Sequence, residues 1–204
     1  MKSRRWPYLA LFAVTALLAA LPQLATAAVI CHAGANLSVP ESSEGLYINF
    51  ATGVSGPTAG STPGYDFDPY AAVNTTPSGQ LRFYWNDMSS GNGGVVSSGD
   101  VYAVLGPGDS ISASSLFSRA AFAGNTDIWR AGLTAAYLGY RFKNETTNAI
   151  NYGWVRLTTS PPMGFPLTVI DWCYDDTGAA ITIAPALPDT IFIDEFESPP
   201  LAAQ

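Results

Sequence analysis

The chain has 204 residues, of which only 12% are charged, with nine Lys and Arg against sixteen Asp and Glu. An acidic, Lys-poor chain excludes nucleic acid as a partner, since phosphates need basic groups, and it excludes docking on anionic lipid. With 19 Gly and many Ser, Thr and Asn, the composition suits short strands joined by turns rather than long Lys/Glu-rich helices.

The first element is a leader. Lys2, Arg4 and Arg5 make a basic start, and Leu9 to Leu21 is an apolar run too short for a membrane span of about 20 residues. Pro22 ends the run, and Ala25-Thr26-Ala27 has the small-x-small pattern cut by signal peptidase. Residues 1–27 therefore read as a cleaved secretory signal. Pro7 breaks the continuation that a twin-arginine signal needs after Arg4-Arg5. About 177 residues follow, enough for one domain with its own core. Three of the nine basic residues belong to the leader, so six face sixteen acidic ones in the remainder, a net charge of −10.

Next come Cys31 and His32. Cys31 and Cys173 are the two cysteines, and in an oxidising compartment such a pair is expected to form a disulfide. It would close a loop of about 140 residues, a constraint of up to about 5 kcal/mol in the chain-entropy picture. The alternative, lipidation of Cys31, is opposed by Ile30, which stands where that signal needs a small residue. His32 is the lone histidine, so any Ser/His/Asp, Cys/His or zinc site would have to use it. No Gly-x-Ser-x-Gly elbow is present and both thiols have each other, so that chemistry is set aside.

From here the apolar period is mostly two. Leu46, Ile48 and Phe50 alternate with Tyr47 and Asn49; Leu81, Phe83 and Trp85 alternate with Arg82, Tyr84 and Asn86; Val101, Ala103 and Leu105 follow the same rule. Turn-rich stretches at 53–64, 86–94 and 106–109 separate these runs. Ser112 to Ala121 is the one place where a short helical turn is predicted. A hairpin spans Tyr137 to Thr159, with Leu138 to Phe142 going up, Lys143 to Asn151 as a polar tip, and Tyr152 to Leu157 returning. Leu167 to Tyr174 is a further strand. Asp175-Asp176-Thr177-Gly178 has turn chemistry, after which Ala180 to Ile183 is expected to pair back. Ala184 to Gln204 is Pro-rich and acidic and reads as a tail without a C-terminal membrane anchor. The predicted fold is all-β, a single antiparallel β-sandwich (jelly-roll-like) over residues 28–183, with a tail over 184–204.

Two late strand sequences, Tyr137-Leu138-Gly139-Tyr140-Arg141-Phe142 and Tyr152-Gly153-Trp154-Val155-Arg156-Leu157, are followed by Ile170-Asp171-Trp172-Cys173-Tyr174 and Gly178. In that order they resemble the late-strand pattern of bacterial PEP-CTERM-type secreted proteins, over about a quarter of the chain. The Pro-Glu-Pro motif, membrane helix and terminal arginines of that family are not in this sequence. Ile191-Phe192-Ile193-Asp194-Glu195-Phe196-Glu197 resembles the IFxxGFE tail of some secreted gammaproteobacterial proteins, with Glu195 at the glycine position. The resemblance implies export to the envelope or exopolysaccharide matrix, and it supplies no catalytic residue.

Three kinds of site were read from side chains. Asp66 and Asp68 point the same way if extended, and Asp171, Asp175 and Asp176 lie near another strand end. A glycosidase needs two such carboxylates converging on one cleft. Loop carboxylates also suit calcium, for which Asp66, Asp68, Asp175 and Asp176 are the candidates; the alternative is that they cap turns. With Val155 and Leu157 inward, Tyr152 and Trp154 face outward, and with Arg141 they form a candidate platform for a sugar ring, Gly139 leaving room. The opposed reading buries Trp154 in the core. Asn36, Asn74 and Asn144 begin sequon-like triplets that suggest exposed loops. The function expected is a secreted, non-enzymatic envelope or extracellular-matrix protein without a resident cofactor. The partners expected are polysaccharide or other envelope components; the alternatives are a carbohydrate-binding module and a glycoside hydrolase.

Overall fold

A computed structural model describes residues 28–86, 89, 91–118 and 124–184. The leader, and the tail beyond Ala184, lie outside the described residues. In chain order the elements are β1 (Val29–His32), β2 (Leu37–Val39), β3 (Tyr47–Ile48), β4 (Ser55–Gly56), a 3-10 turn (Ala59–Ser61), β5 (Phe67–Ala72), β6 (Gln80–Trp85) and β7 (Gly93–Ser98). There follow β8 (Val101–Tyr102), β9 (Ser110–Ile111), β10 (Phe117–Ser118), α1 (Asp127–Arg130), β11 (Ala136–Lys143), β12 (Ile150–Thr158), β13 (Leu167–Asp175) and β14 (Ile181–Thr182).

The strands form an all-β sandwich of antiparallel sheets. The larger sheet runs β1-β13-β12-β11-β7-β10, with β2 continuing along the edge of β13 beyond β1 and β8 pairing with β7. The smaller runs β4-β3-β5-β6. Their inner faces are built by the alternation seen in the sequence. Leu138, Tyr140, Phe142, Val155 and Leu157 of the large sheet, and Ile48, Phe67, Leu81, Phe83 and Trp85 of the small one, are fully buried in one core. Phe50 joins the layers, its ring stacked on Tyr140 at 3.8 Å between centroids. The buried indoles find acceptors, as their polar edge requires: Trp85 Nε1 donates to the Tyr102 hydroxyl at 2.9 Å and Trp172 Nε1 to the Phe50 carbonyl at 3.1 Å.

Cys31 and Cys173 are bonded, standing opposite each other in the β1–β13 ladder with Cα atoms 4.1 Å apart. The hairpin reads as expected, except that the ladder extends to Lys143↔Ile150 and so shortens the tip.

Two local expectations are corrected. Of the helical turn expected over Ser112–Ala121, residues 112–118 are described and form none. Over its described part, Ser112, Ser114 and Ser115 hydrogen-bond their own backbone and form a turn before β10. That local bonding competes with a helix. The helix is α1, one turn with Asp127 at its start and Arg130 at its end, anchored by the buried Trp129. The second correction concerns β14, which does not fold back on β13. It pairs with β9, Ile181 opposite Ile111. This pair buries Ile111, Ile181 and Ile183 against Val95 and Cys173 on the outer face of the large sheet, a small third layer.

Candidate functional site

The outer face of the large sheet carries Tyr152, Trp154 and Arg141, as the alternation implied, with Arg141 opposite Tyr152 and Gly139 opposite Trp154. The third layer covers much of it. Room beside Gly139 is taken by protein: a Cβ there would meet Ile111, Leu105 and Val95 at 2.8 Å each. Trp154 packs edge-on to Tyr137 at 5.1 Å and Tyr152 against Phe117 at 6.2 Å. The Arg141 guanidinium lies 4.5 Å over Phe117, and its Nε donates to the Gly91 carbonyl. These residues form a half-buried seam rather than an open platform.

The carboxylates are distributed differently from the sequence reading. Asp171 pairs with Arg156. Asp175 Oδ1 accepts from Thr177 N, Thr177 Oγ1 and Ala179 N, capping the turn, while Asp176 Oδ1 accepts from Ala28 N. Asp66 and Asp68 do not converge on one cleft; they hold the two ends of β3. Asp66 Oδ2 accepts from Phe50 N at 2.9 Å, and Asp68 Oδ1 from Leu46 N at 3.0 Å. Among the described residues no three His, Cys, Asp or Glu side chains come together as a metal group. His32 stacks on Trp172 at 4.8 Å. Of the sequon asparagines, Asn36 and Asn74 are exposed, but Asn144 is buried, its Oδ1 accepting from Thr146 N inside the hairpin tip.

A second group of aromatic side chains lies on the outer face of the small sheet, half-buried at Tyr47, Tyr65 and Tyr84 and buried at Tyr70. Alternation that turns Phe67, Leu81, Phe83 and Trp85 inward turns Asp68, Tyr70, Arg82 and Tyr84 outward. The ladder sets Asp68 opposite Tyr84 and Tyr70 opposite Arg82. Tyr47 from β3 and Tyr65 from the approach to β5 close the sides. Together with Ser43 they line a hollow of about 270 Å³. Tyr47 and Tyr65 meet edge to face at 4.6 Å and 89°, forming two perpendicular walls.

Asp68 lies in this hollow at 4% exposure. Burial raises its carboxyl from an ordinary value of 3.8 to about 7; the Leu46 amide works against that and the Glu44 charge adds to it. Gly45 is needed beside it, because φ is +55° there and a Cβ would fall 2.3 Å from Asp68 Oδ1. Burial, followed by neighbouring Tyr84 and Asp68, raises Tyr65 to about 12; burial, Asp68 and Glu44 raise Tyr47 further. The phenols therefore stay neutral.

Two more hollows continue the first. Tyr65 is shared with one of about 520 Å³ at the sandwich rim, where Asp66, Asn86, Asn92, Lys143 and Glu145 supply polar groups. Its floor is tied in place. Asn49 Nδ2 donates to Gly64 O and Glu145 Oε1, Asn92 Oδ1 accepts from Lys143 N, and Asn86 Nδ2 donates to Tyr65 O. Ser43 and Tyr70 are shared with the other, of about 320 Å³, which reaches Asn74 and Thr75. The three lie in a row along β5, about 20 Å from Asp66 to Ala72 at the usual strand rise, and this row is the candidate groove.

Among the described residues no helix is long and apolar enough to cross a membrane. No protein-family model, curated protein or solved structure matches the chain.

Proposed function

We propose that the chain is a non-enzymatic binding module of the bacterial envelope or the matrix outside it, exported by its leader and engaging polysaccharide along the groove on β5. The observation that carries this is the groove itself. Tyrosine rings offer flat apolar faces to the C–H faces of sugars, while Asn, Asp and neutral phenol groups bond their hydroxyls. A row of adjoining hollows suits a chain rather than an enclosed small molecule. A disulfide between the edge strand β1 and its neighbour β13 fits an oxidising compartment outside the cytoplasm. The net charge of −10 on the residues after the leader argues against anionic polymers as partners. One feature favours a second reading, glycoside hydrolysis: a carboxyl titrating near neutrality is what a general acid needs.

The test is affinity electrophoresis and a glycan array with the full chain, expressed with its leader and recovered oxidised. Retention should fall about fivefold or more in Tyr84→Ala and in Tyr47→Ala, the loss of one stacking ring. It should persist in Trp154→Ala. Loss in Trp154→Ala alone would return the site to the large sheet, and blank arrays would remove the polysaccharide reading. Sugar release that disappears in Asp68→Asn would favour the hydrolase.

A further inference from the structure

Resting on that polysaccharide reading, we propose that the central hollow recognises a protonated amino group carried by the sugar chain, so that the ligand is a polysaccharide with free hexosamine amines rather than a neutral or N-acetylated one. The argument starts from Asp68. It is nearly inaccessible to solvent, lines the hollow, and among the described residues accepts a single hydrogen bond, from Leu46 N to Oδ1. Its second oxygen has no protein donor there. Ionising a buried carboxyl that has no charge partner is costly, which is why it holds its proton, and a cation that desolvates against it favours the carboxylate.

Among the described residues no cation pairs with it. The groups around Asp68 are Glu44 from the loop before β3, Tyr47 of β3, Tyr65 and Tyr70 on β5 and its approach, and Tyr84 of β6, none of them positive. Arg82 on β6 is the nearest basic residue along the ladder. It stands opposite Tyr70, and its Nη1 donates to Gly124 O and Thr126 Oγ1 instead. The ion pairs of the described residues, Arg130–Asp127 and Arg156–Asp171, do not involve it.

The walls favour an ammonium as well. Tyr47 and Tyr65 meet at right angles, so a cation in the corner faces one ring and the edge of another, with Tyr70 and Tyr84 completing the enclosure. Rings in this arrangement attract ammonium groups through their quadrupoles. The fit is to a pendant amine on a chain rather than a free small cation. A neighbouring hollow lies on each side of it, sharing the walls Tyr65 and Tyr70, and Asn86, Asn92, Asn74 and Thr75 there offer amide and hydroxyl groups to sugar hydroxyls. An acetamido group in place of the amine carries no charge and forgoes the ion pair with the carboxylate.

The experiment is calorimetric titration of the full, oxidised chain with three oligosaccharides of one length: a fully de-N-acetylated glucosamine oligomer, its N-acetylated form, and a neutral glucose oligomer. Choline serves as a free-cation arm. The amine oligomer should bind at least tenfold tighter than the other two. It should weaken about tenfold from pH 6.5 to pH 5 as Asp68 takes up a proton, and weaken in high salt. Asp68→Asn, which retains an oxygen for the Leu46 amide, should erase the preference and the pH dependence. The pH and salt responses of the unaltered protein stand even if that variant misfolds.

Equal or tighter binding of the N-acetylated or neutral oligomer, still lost in Tyr84→Ala, overturns the amine proposal and leaves the polysaccharide reading in place. Choline binding as tightly as the oligomer overturns the chain-borne source. Binding of none of the three oligomers overturns both readings.

Discussion

Asp68 and Tyr84 face each other across the β5–β6 ladder, a buried carboxyl against a phenol on the outer face of the small sheet. The carboxyl therefore holds its proton up to about pH 7 when folded and only to about 3.8 when unfolded. A raised value means that the stabilisation from this group is full below pH 3.8 and is lost as pH climbs to and through 7, by roughly 4 kcal/mol at most. Urea denaturation at intervals from pH 4 to pH 8 should show that decline. Asp68→Asn should flatten it, with the variant gaining on the parent at pH 8. Parallel curves for the two proteins would show that the carboxyl is not perturbed.

The disulfide joins residues 142 apart in sequence. Replacing Cys31 and Cys173 together by Ser should cost about 2–5 kcal/mol, chiefly through a freer unfolded chain. Urea midpoints of the double variant and the oxidised parent measure this. A shift under half a kcal/mol would mean that the ladder β1–β13 alone fixes the N-terminal strand.

Gly139→Ala should destabilise by about 1–3 kcal/mol, because the new methyl overlaps Ile111, Leu105 and Val95. Gly60→Ala, where a Cβ meets nothing, is the matched control. The damage should concentrate in the third layer, so hydrogen exchange at β9 and β14 should quicken before exchange in β12.

Asn49→Ala removes the side chain that bonds Pro63 O, Gly64 O and Glu145 Oε1 and accepts from Thr52 N. Buried amides left without partners cost about 1–3 kcal/mol. Faster exchange across residues 143–150 is expected, along with weaker retention on the polysaccharide that the parent binds best, because the rim hollow loses its fixed floor. Unchanged exchange in the hairpin tip would show that Glu145 is held by other means.

Much of this architecture was legible in the alternation of particular residues. Leu81, Phe83 and Trp85 fixed the inner face of β6, and Leu138, Tyr140 and Phe142 that of β11, because a period of two assigns faces directly. The Cys31–Cys173 pairing followed from compartment and number. The third layer was not legible. Tyr152 and Trp154 lie on the face opposite Val155 and Leu157, but alternation cannot distinguish a wet face from a second buried one. Its cover, β14, pairs with a strand some seventy residues earlier, and two-residue strands leave no periodic trace. The one-turn helix at Asp127–Arg130 is likewise too short for a pattern. Of the groove, Asp66 and Asp68 were legible as carboxylates, but the rings of Tyr65 and Tyr70 beside them were not. Tyr47 and Tyr84 reach the same hollow only through strand pairing, which no local pattern encodes.

The position of the Cys31–Cys173 bond gives the molecule a mechanical property. Cys31 is the fourth described residue and Cys173 lies eleven before the last, so the bond short-circuits almost the whole body. Tension applied at the two ends passes from Cys31 straight into β13 and out. The sequence between, including every residue of the groove, carries none of a load applied at those two ends, so pulling on the flanking chain leaves the groove's shape intact.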